Sequence, residues 1–252
     1  MKSKIMKSGL SFGIVLLALL LLLCVRTGNE QICFAEVLTQ EDQTAEGNED
    51  QQEISSENSI AEKLAEERIE AAGKLEPEIT AILQSLESEN AKLTGLEHRI
   101  KSKESLTRKI LSDAHDMEIS LEEAAAGIKD VVRYTLCINE KQYIPIADET
   151  LKTLEENQFS VIRFRNTWGG DGYKGINTNL QTEDGFIFEL QLHTPASFEA
   201  KELEHANYEI VRSETATEEE KIAAEKYAKE IYAKVNVPEG AADFNWEIKP
   251  VK

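Results

Sequence analysis

Apolar residues recur along this chain with two periods, and the change of period marks out its elements. From Ile60 the spacing is helical. Ile60, Leu64 and Ile69, then Leu75, Ile79, Ile82 and Leu86, recur every three to five positions, which predicts two helices with a break near Gly73 and Pro77. A helix is expected to start near Ser105, and another to contain Leu121 to Ile128. The period then shortens. Val131–Ile138, Phe159–Arg165, Gly175–Leu180 and Phe186–His193 read as strands, with a short helix over Asp148–Glu156. Gly169–Gly172 reads as a turn and Thr182–Gly185 as a hairpin loop joining the last two strands. Helix returns over Ala196–Arg212. The final helix carries its own start signal, a Thr217-Glu-Glu-Glu220 capping box, and Pro238 ends it. Phe244 and Trp246 in the tail are expected to fold back onto the domain. Strands flanked by helices in this order predict an α+β domain on a largely antiparallel sheet, preceded by N-terminal helices.

The last strand alternates cleanly. Phe186, Phe188, Leu190 and Leu192 take one face, and Glu189, Gln191 and His193 take the other. A polar sheet face is often simply solvated. This one aligns a carboxylate, an amide and an imidazole, which also suits metal and phosphate chemistry.

The N-terminus has a different character. Lys2, Lys4 and Lys7 precede an uncharged apolar run, Gly9–Val25, and small residues surround Ala35. Residues 1–35 are expected to be a cleaved signal peptide or, read through residues 9–25, a membrane anchor. Either places the rest outside the cytoplasm, secreted or anchored. Cleavage would leave Cys137 alone, so no internal disulfide supports the fold. Residues 36–58, acidic and Gln-rich, are expected to be a disordered linker, and residues 59–252 the folded domain.

The formal net charge is −19, and removal of residues 1–35, with four basic residues and one acid, makes it more negative. Such a surface repels nucleic acid and anionic membranes. Membrane contact is expected only through the N-terminal segment. Against that background His98, Arg99, Lys101, Lys103, Arg108 and Lys109 form a cationic island. It is either a solvated patch or, with a helix starting at Ser105, a polyphosphate site. Asp130 at the head of a strand is either a junction residue or a metal ligand. Arg133, three positions on, is expected on the opposite strand face. Tyr173 between Gly172 and Gly175 is either a hairpin aromatic covering a sheet edge or a platform for a base. Ala114-His115-Asp116 contains an His-Asp pair, but no further ligands at metal-site spacing accompany it.

In sequence order these pieces are Arg99-x-Lys101…Ser105…Lys109, then Asp130, then Gly172-Tyr173-x-x-x-Asn177, then Glu189-x-Gln191-x-x-Thr194, then a helix with His205 and Tyr208. This order resembles the RelA/SpoT-type nucleotide pyrophosphokinase (synthetase) domain, over roughly residues 77–212. The resemblance implies a nucleotidyltransferase-like fold and transfer of the β,γ-pyrophosphate of ATP to the 3′-hydroxyl of a guanine or other purine nucleotide. It implies that Arg99, Lys101, Ser105 and Lys109 hold the donor nucleotide and that Arg133 packs near its adenine. It implies that Asp130 and Glu189 hold Mg²⁺, with Glu189 also taking the hydroxyl proton. Tyr173, with Asn177 where the family usually has histidine, would face the acceptor base. Gln191 matches the glutamine beside the catalytic glutamate. His193 stands where the family usually has arginine, which implies a lost permanent cation beside the phosphates near neutral pH.

An exported pyrophosphokinase, acting as a toxin or effector, is the reading these residues favour. A catalytically degenerate module that binds a nucleotide or a cell-envelope partner is the alternative. A third reading is an anchored structural protein with acidic helices as spacer.

Overall fold

The structure is a computed structural model that describes residues 46–213 and 215–249, which lie within one compact unit. The expected signal or anchor segment, and residues 36–45 of the expected linker, lie outside the described residues. Among the described residues, no helix is long and apolar enough to cross a membrane.

The first helix, α1, runs unbroken over Glu46–Ser85. Two expectations are corrected here. The break at Gly73–Pro77 is absent, although Pro77 removes one backbone hydrogen bond from the ladder. Ala61, Ala65, Ala72, Ile79 and Leu83 are all buried along one side, so tertiary packing carries the helix through the proline. Residues 46–58, expected to be linker, extend the same helix. Their Glu and Gln residues are good helix formers, and a helix already nucleated by packing propagates outward cheaply.

Strand β1 is short, Ala91–Thr94. Helix α2, Lys103–Met117, starts two residues before expectation because Ser102 is its N-cap, accepting from Ser105 N. Helix α3, Leu121–Gly127, leads into β2, Arg133–Ile138. Helix α4 spans Tyr143–Glu156. Strands β3 (Ser160–Asn166), β4 (Ile176–Gln181) and β5 (Ile187–His193) follow. Helices α5 (Pro195–Arg212) and α6 (Glu218–Tyr232) complete the domain, and the expected capping box at Thr217 is formed. The tail folds back as expected. Phe244 packs edge-on to Phe164, and Trp246 donates to Glu155 at 3.3 Å.

The five strands lie in the order β1-β2-β5-β4-β3. Only β2 and β5 pair in parallel, and the other neighbours are antiparallel. The mixed, largely antiparallel sheet with helical cover is the α+β class expected. Its apolar face holds Tyr134, Leu136, Phe188, Leu190, Leu192 and Leu180, all buried. Tyr134 Oη donates from this face to the Glu76 carbonyl of α1 at 3.2 Å. The register places Arg133, Glu189 and Asn179 in one transverse row of the other face, and Thr135, Gln191 and Asn177 in the next. The functional side chains therefore ride on a rigid sheet whose back is cemented by core.

Candidate active site

The polar face is organised around Arg133. Its Nη2 donates to Asp130 Oδ2 at 2.6 Å and its Nε to Glu189 Oε2 at 2.5 Å. Lys101 Nζ lies 3.1 Å from the same Asp130 oxygen. Three backbone bonds fix this arrangement. Arg133 N donates to Arg99 O, Lys101 N to Val131 O, and Glu189 N to Val132 O. The basic loop, the start of β2 and the middle of β5 thus form one hydrogen-bonded unit, although Asp130 and Glu189 are far apart in sequence.

The expected placement of Arg133 is corrected. It does not lie on the face opposite Asp130. Strand β2 begins at Arg133, and Asp130 precedes it on the far side of a bend at Val131, so strand alternation does not extend back to the acid. Arg133 therefore bridges the two carboxylates. Burial is the largest influence on the Asp130 carboxyl and would raise its pKa, but the charges of Lys101 and Arg133 together outweigh it and hold the group below the usual aspartate range. Burial likewise disfavours the Arg133 cation, and Glu189 and Asp130 more than restore it.

The other expected cations divide. Lys109 Nζ is 3.0 Å from Asp113 and close enough for its charge to act on Asp130. Ser105 sits in the first turn of α2, where its hydroxyl accepts from Ser102 at 3.2 Å. Arg99 turns away. Its Nε donates to Glu76 at 2.5 Å and its Nη1 to Leu96 O at 2.6 Å, which ties the guanidinium to α1 rather than to the acid pair. Lys201 of α5, unmarked in the sequence, is electrostatically coupled to Arg133 and Glu189. Burial, then the Arg133 charge, lowers its pKa. His205 and Tyr208, also on α5, are exposed.

Gln191 Nε2 donates to Glu189 at 3.2 Å, while its Oε1 is buried with no hydrogen-bond partner among the described residues. Beside it lies a second cluster. Tyr173 Oη donates to Asn177 Oδ1 at 2.8 Å and lies 2.7 Å from His193 Nε2. His193 Nδ1 is 2.9 Å from Ser197 Oγ. With the phenol proton given to Asn177, the imidazole is neutral, with Nε2–H donating to Tyr173 and Nδ1 accepting from Ser197. Here too an expectation is corrected. His193 is completely buried, and that burial pushes its pKa down to about 3. It is no weakened phosphate ligand. It is a neutral post that holds Tyr173. Gly175 makes room for it, since a Cβ there would lie 3.0 Å from the imidazole Cε1. Tyr232 of α6 packs edge-on to Tyr173 from the other side. The buried Lys174 ammonium donates to Trp168 O at 3.1 Å and to Gly170 O, which fixes the glycine turn below the tyrosine.

A hollow elsewhere, between α1 and the β4–β5 hairpin, is lined by Glu78, Glu183 and Asp184. Three acids make it unfit for a polyphosphate.

No protein-family model matches the chain, and no curated protein does. Solved structures do. The small alarmone synthetase 1 from Bacillus subtilis bound to its product pppGpp aligns at 20% identity over 66% of this chain and 87% of that one, with TM-score 0.45. A GTP pyrophosphokinase family protein from Streptococcus pneumoniae aligns at 18% identity over 71% and 94%, with TM-score 0.43. The Type VI effector Tas1, solved in complex with its immunity protein, aligns at 19% identity over 68% and 95%, with TM-score 0.46. At such identities and scores, the roles of individual residues rest on the side chains of this protein.

Proposed function

We propose that the protein is an exported nucleotide pyrophosphokinase that transfers pyrophosphate from ATP to the 3′-hydroxyl of a purine nucleotide. One observation carries this. Asp130, Arg133 and Glu189 meet on one sheet face beside Lys101, in a protein whose overall charge would otherwise repel a polyphosphate. Phosphoryl-type transfer needs positioning and charge more than covalent chemistry, and this cluster supplies both.

The acceptor 3′-oxygen attacks the β-phosphorus of ATP. The bond from that phosphorus to the α,β-bridging oxygen breaks, AMP departs with the electron pair, and the hydroxyl proton passes to Glu189. Arg133, Lys101 and Lys109 exchange their carboxylate partners for phosphate oxygens, and Arg133 offers a fork suited to them. Tyr173, held upright by His193 and Asn177, presents its ring to the acceptor base.

The donor set fits Mg²⁺. Among the described residues no group of three or more His, Cys, Asp or Glu could hold a metal. Asp130 and Glu189 are two oxygen-only ligands, and Mg²⁺ is commonly bound by one or two carboxylates with substrate phosphates and water completing its shell. Bound there, it would neutralise charge on the transferred group.

The test uses the full chain with ATP, Mg²⁺ and GTP, GDP or ATP as acceptor. AMP should appear in step with a 3′-pyrophosphorylated nucleotide and vanish in Glu189→Gln. No AMP with any acceptor overturns the activity. A second reading, a nucleotide-binding module without turnover, has one observation in its favour: Arg133 already occupies both carboxylates. Calorimetric binding without AMP release would select it. Export rests on the basic and apolar residues of positions 2–25 and would bring the activity to another cell as a toxin. The mass of the mature N-terminus checks it, since an intact residue 1 in a cytoplasmic fraction removes the proposal.

A further inference from the structure

The turn that carries Tyr173 does little to order itself. Residues 169–175 include four glycines, which have the most backbone freedom to lose. Two main-chain bonds close the turn, Thr167 N to Gly175 O at 3.0 Å and Gly170 N to Thr167 O at 3.2 Å. Among the described residues, 171–174 make no bond between backbone groups. What fixes the root of the tyrosine therefore comes from outside the turn.

One side chain supplies that hold. Asn166, the last residue of β3, uses both ends of its amide. Its Oδ1 accepts from Trp168 N, at the first bend of the turn, at 3.0 Å. Its Nδ2 donates to Ala241 O at 2.7 Å and to Phe244 O at 2.8 Å, carbonyls of the C-terminal tail. Trp168 is completely buried, and its own carbonyl accepts from Lys174, the chain neighbour of Tyr173. Tail and tyrosine are thus joined through direct contacts. The tail also packs on the turn, since a Cβ on Gly169 would lie 3.8 Å from Ala242 Cβ. Tyr232, at the end of the helix that leads into the tail, lies edge-on to the Tyr173 ring with centroids 5.9 Å apart.

Covering the open edge of β3 would be a simpler use of the tail. An edge cover pairs with the backbone of its strand. Among the described residues the tail makes no backbone bond to β3, and its hydrogen bonds to that strand converge on the Asn166 amide. The remaining contacts, Phe244 on Phe164 and the bonds of Trp246 and Lys249 to Glu155, hold the tail itself in place.

We propose that residues 238–246 are a brace for Tyr173, and that Asn166 is the positioning residue through which the brace acts. The proposal rests on the pyrophosphokinase reading, in which Tyr173 presents its ring to the acceptor base. The hydroxyl end of the ring is held by His193 and Asn177, and the backbone end by the turn that Asn166 ties to the tail. Acceptor binding then depends on a segment that touches neither the nucleotide nor the reacting groups.

The experiment uses Asn166→Asp in the full-length protein. The substitution keeps an acceptor for Trp168 N, removes both donors and sets a carboxylate against two carbonyl oxygens. The acceptor KM should rise about tenfold, the worth of two lost hydrogen bonds, with the KM for ATP nearly unchanged. Phe244→Ala, which leaves the amide intact and loosens the tail, should move the same constant in the same direction. A lower thermal midpoint with an unchanged acceptor KM in both variants would mean a role in stability alone and overturns the proposal. In a Tyr173→Ala background, Asn166→Asp should add nothing further, because the brace acts through that ring. Equal rises in both backgrounds also overturn it. Calorimetry with GDP and ADP, without ATP as donor, separates the brace from the activity. Affinity lost in Asn166→Asp but not lost further in the Tyr173→Ala background, with no AMP ever formed, leaves the brace standing and removes the kinase. No binding of either nucleotide by the parent removes both.

Discussion

Two clusters share the polar face of this sheet and are built on opposite principles. The partners of Arg133 are charged. Asp130, Glu189 and Lys101 are each partly open to water, with side-chain exposures of 20%, 13% and 19%. Around His193 the side chains that hydrogen-bond the imidazole, Tyr173 and Ser197, are neutral. His193 and Ser197 are fully buried, and the imidazole's two nitrogens are both taken. The first cluster can trade partners, because a phosphate or a metal ion offers each member what its neighbour offers now. The second cannot trade, and its value is shape. A nucleotide site needs both, one set of groups to follow the moving charge and another to keep the base still.

The largest test of this contrast is Glu189→Gln. Activity should fall about a thousandfold, the range for loss of a general base, while the thermal midpoint stays within a few degrees because an amide keeps the fold. A variant that retains activity would dissolve the charged half of the comparison.

Acid tests the neutral half. The folded pKa of His193 lies at about 3, below its ordinary 6.5. The unfolded chain therefore binds the proton first. The stability His193 contributes is complete above pH 6.5 and is lost as pH falls from there toward 3, by up to about 1.4 kcal/mol per pH unit. Asp130 is also depressed, but from 3.8, so its share is lost only below that value. Denaturant unfolding between pH 6.5 and 4.5 should show a slope that His193→Gln flattens. An unchanged slope in the variant would show that the imidazole is not sealed.

Gly175→Ala pushes a methyl against His193 at 3.0 Å and against Leu192 O at 3.2 Å. Overpacking of this kind costs about 1–3 kcal/mol, which would appear as a lower thermal midpoint together with a raised acceptor KM. Arg133→Ala should destabilise less, by about 1–2 kcal/mol, because its side chain is more than a third exposed and water screens the two acids it leaves behind. Added Mg²⁺ should restore more of that loss than it adds to the parent protein. Thermal melts with and without the ion measure it, and equal increments would argue against a shared metal site.

How much of this was legible beforehand varies with the range of the forces involved. The alternation of Phe186 to His193 is local, and β5 appeared where it was read, with Glu189 and Gln191 on the face away from the core. The Thr217 capping box is likewise local and formed. Four residues of β1, Ala-Lys-Leu-Thr, carry too little pattern, and they pair only because β2 is there to receive them. The break read at Pro77 failed because burial of Ile79 and Leu83 overrides propensity. Arg133 was given the wrong face because the start of its strand depends on pairing with β5. His193 was given the wrong role because its partner Tyr173 is 20 positions distant. The register shift of β3 between Val161 and Arg163 was invisible, since such a shift exists only between two strands.

The place of β5 in the sheet has a further consequence. Among the described residues it is the last strand in sequence, yet it lies third of five and is the sole link between β1–β2 and β3–β4. A chain that stops short of it holds two separate strand pairs, with Asp130 on one side of the gap and Tyr173 on the other. Closing that gap joins distant parts of the sequence, the slow kind of contact in folding. Completion of the sheet and assembly of its chemistry are therefore a single event, and no partly made copy of this protein carries a working half of its site.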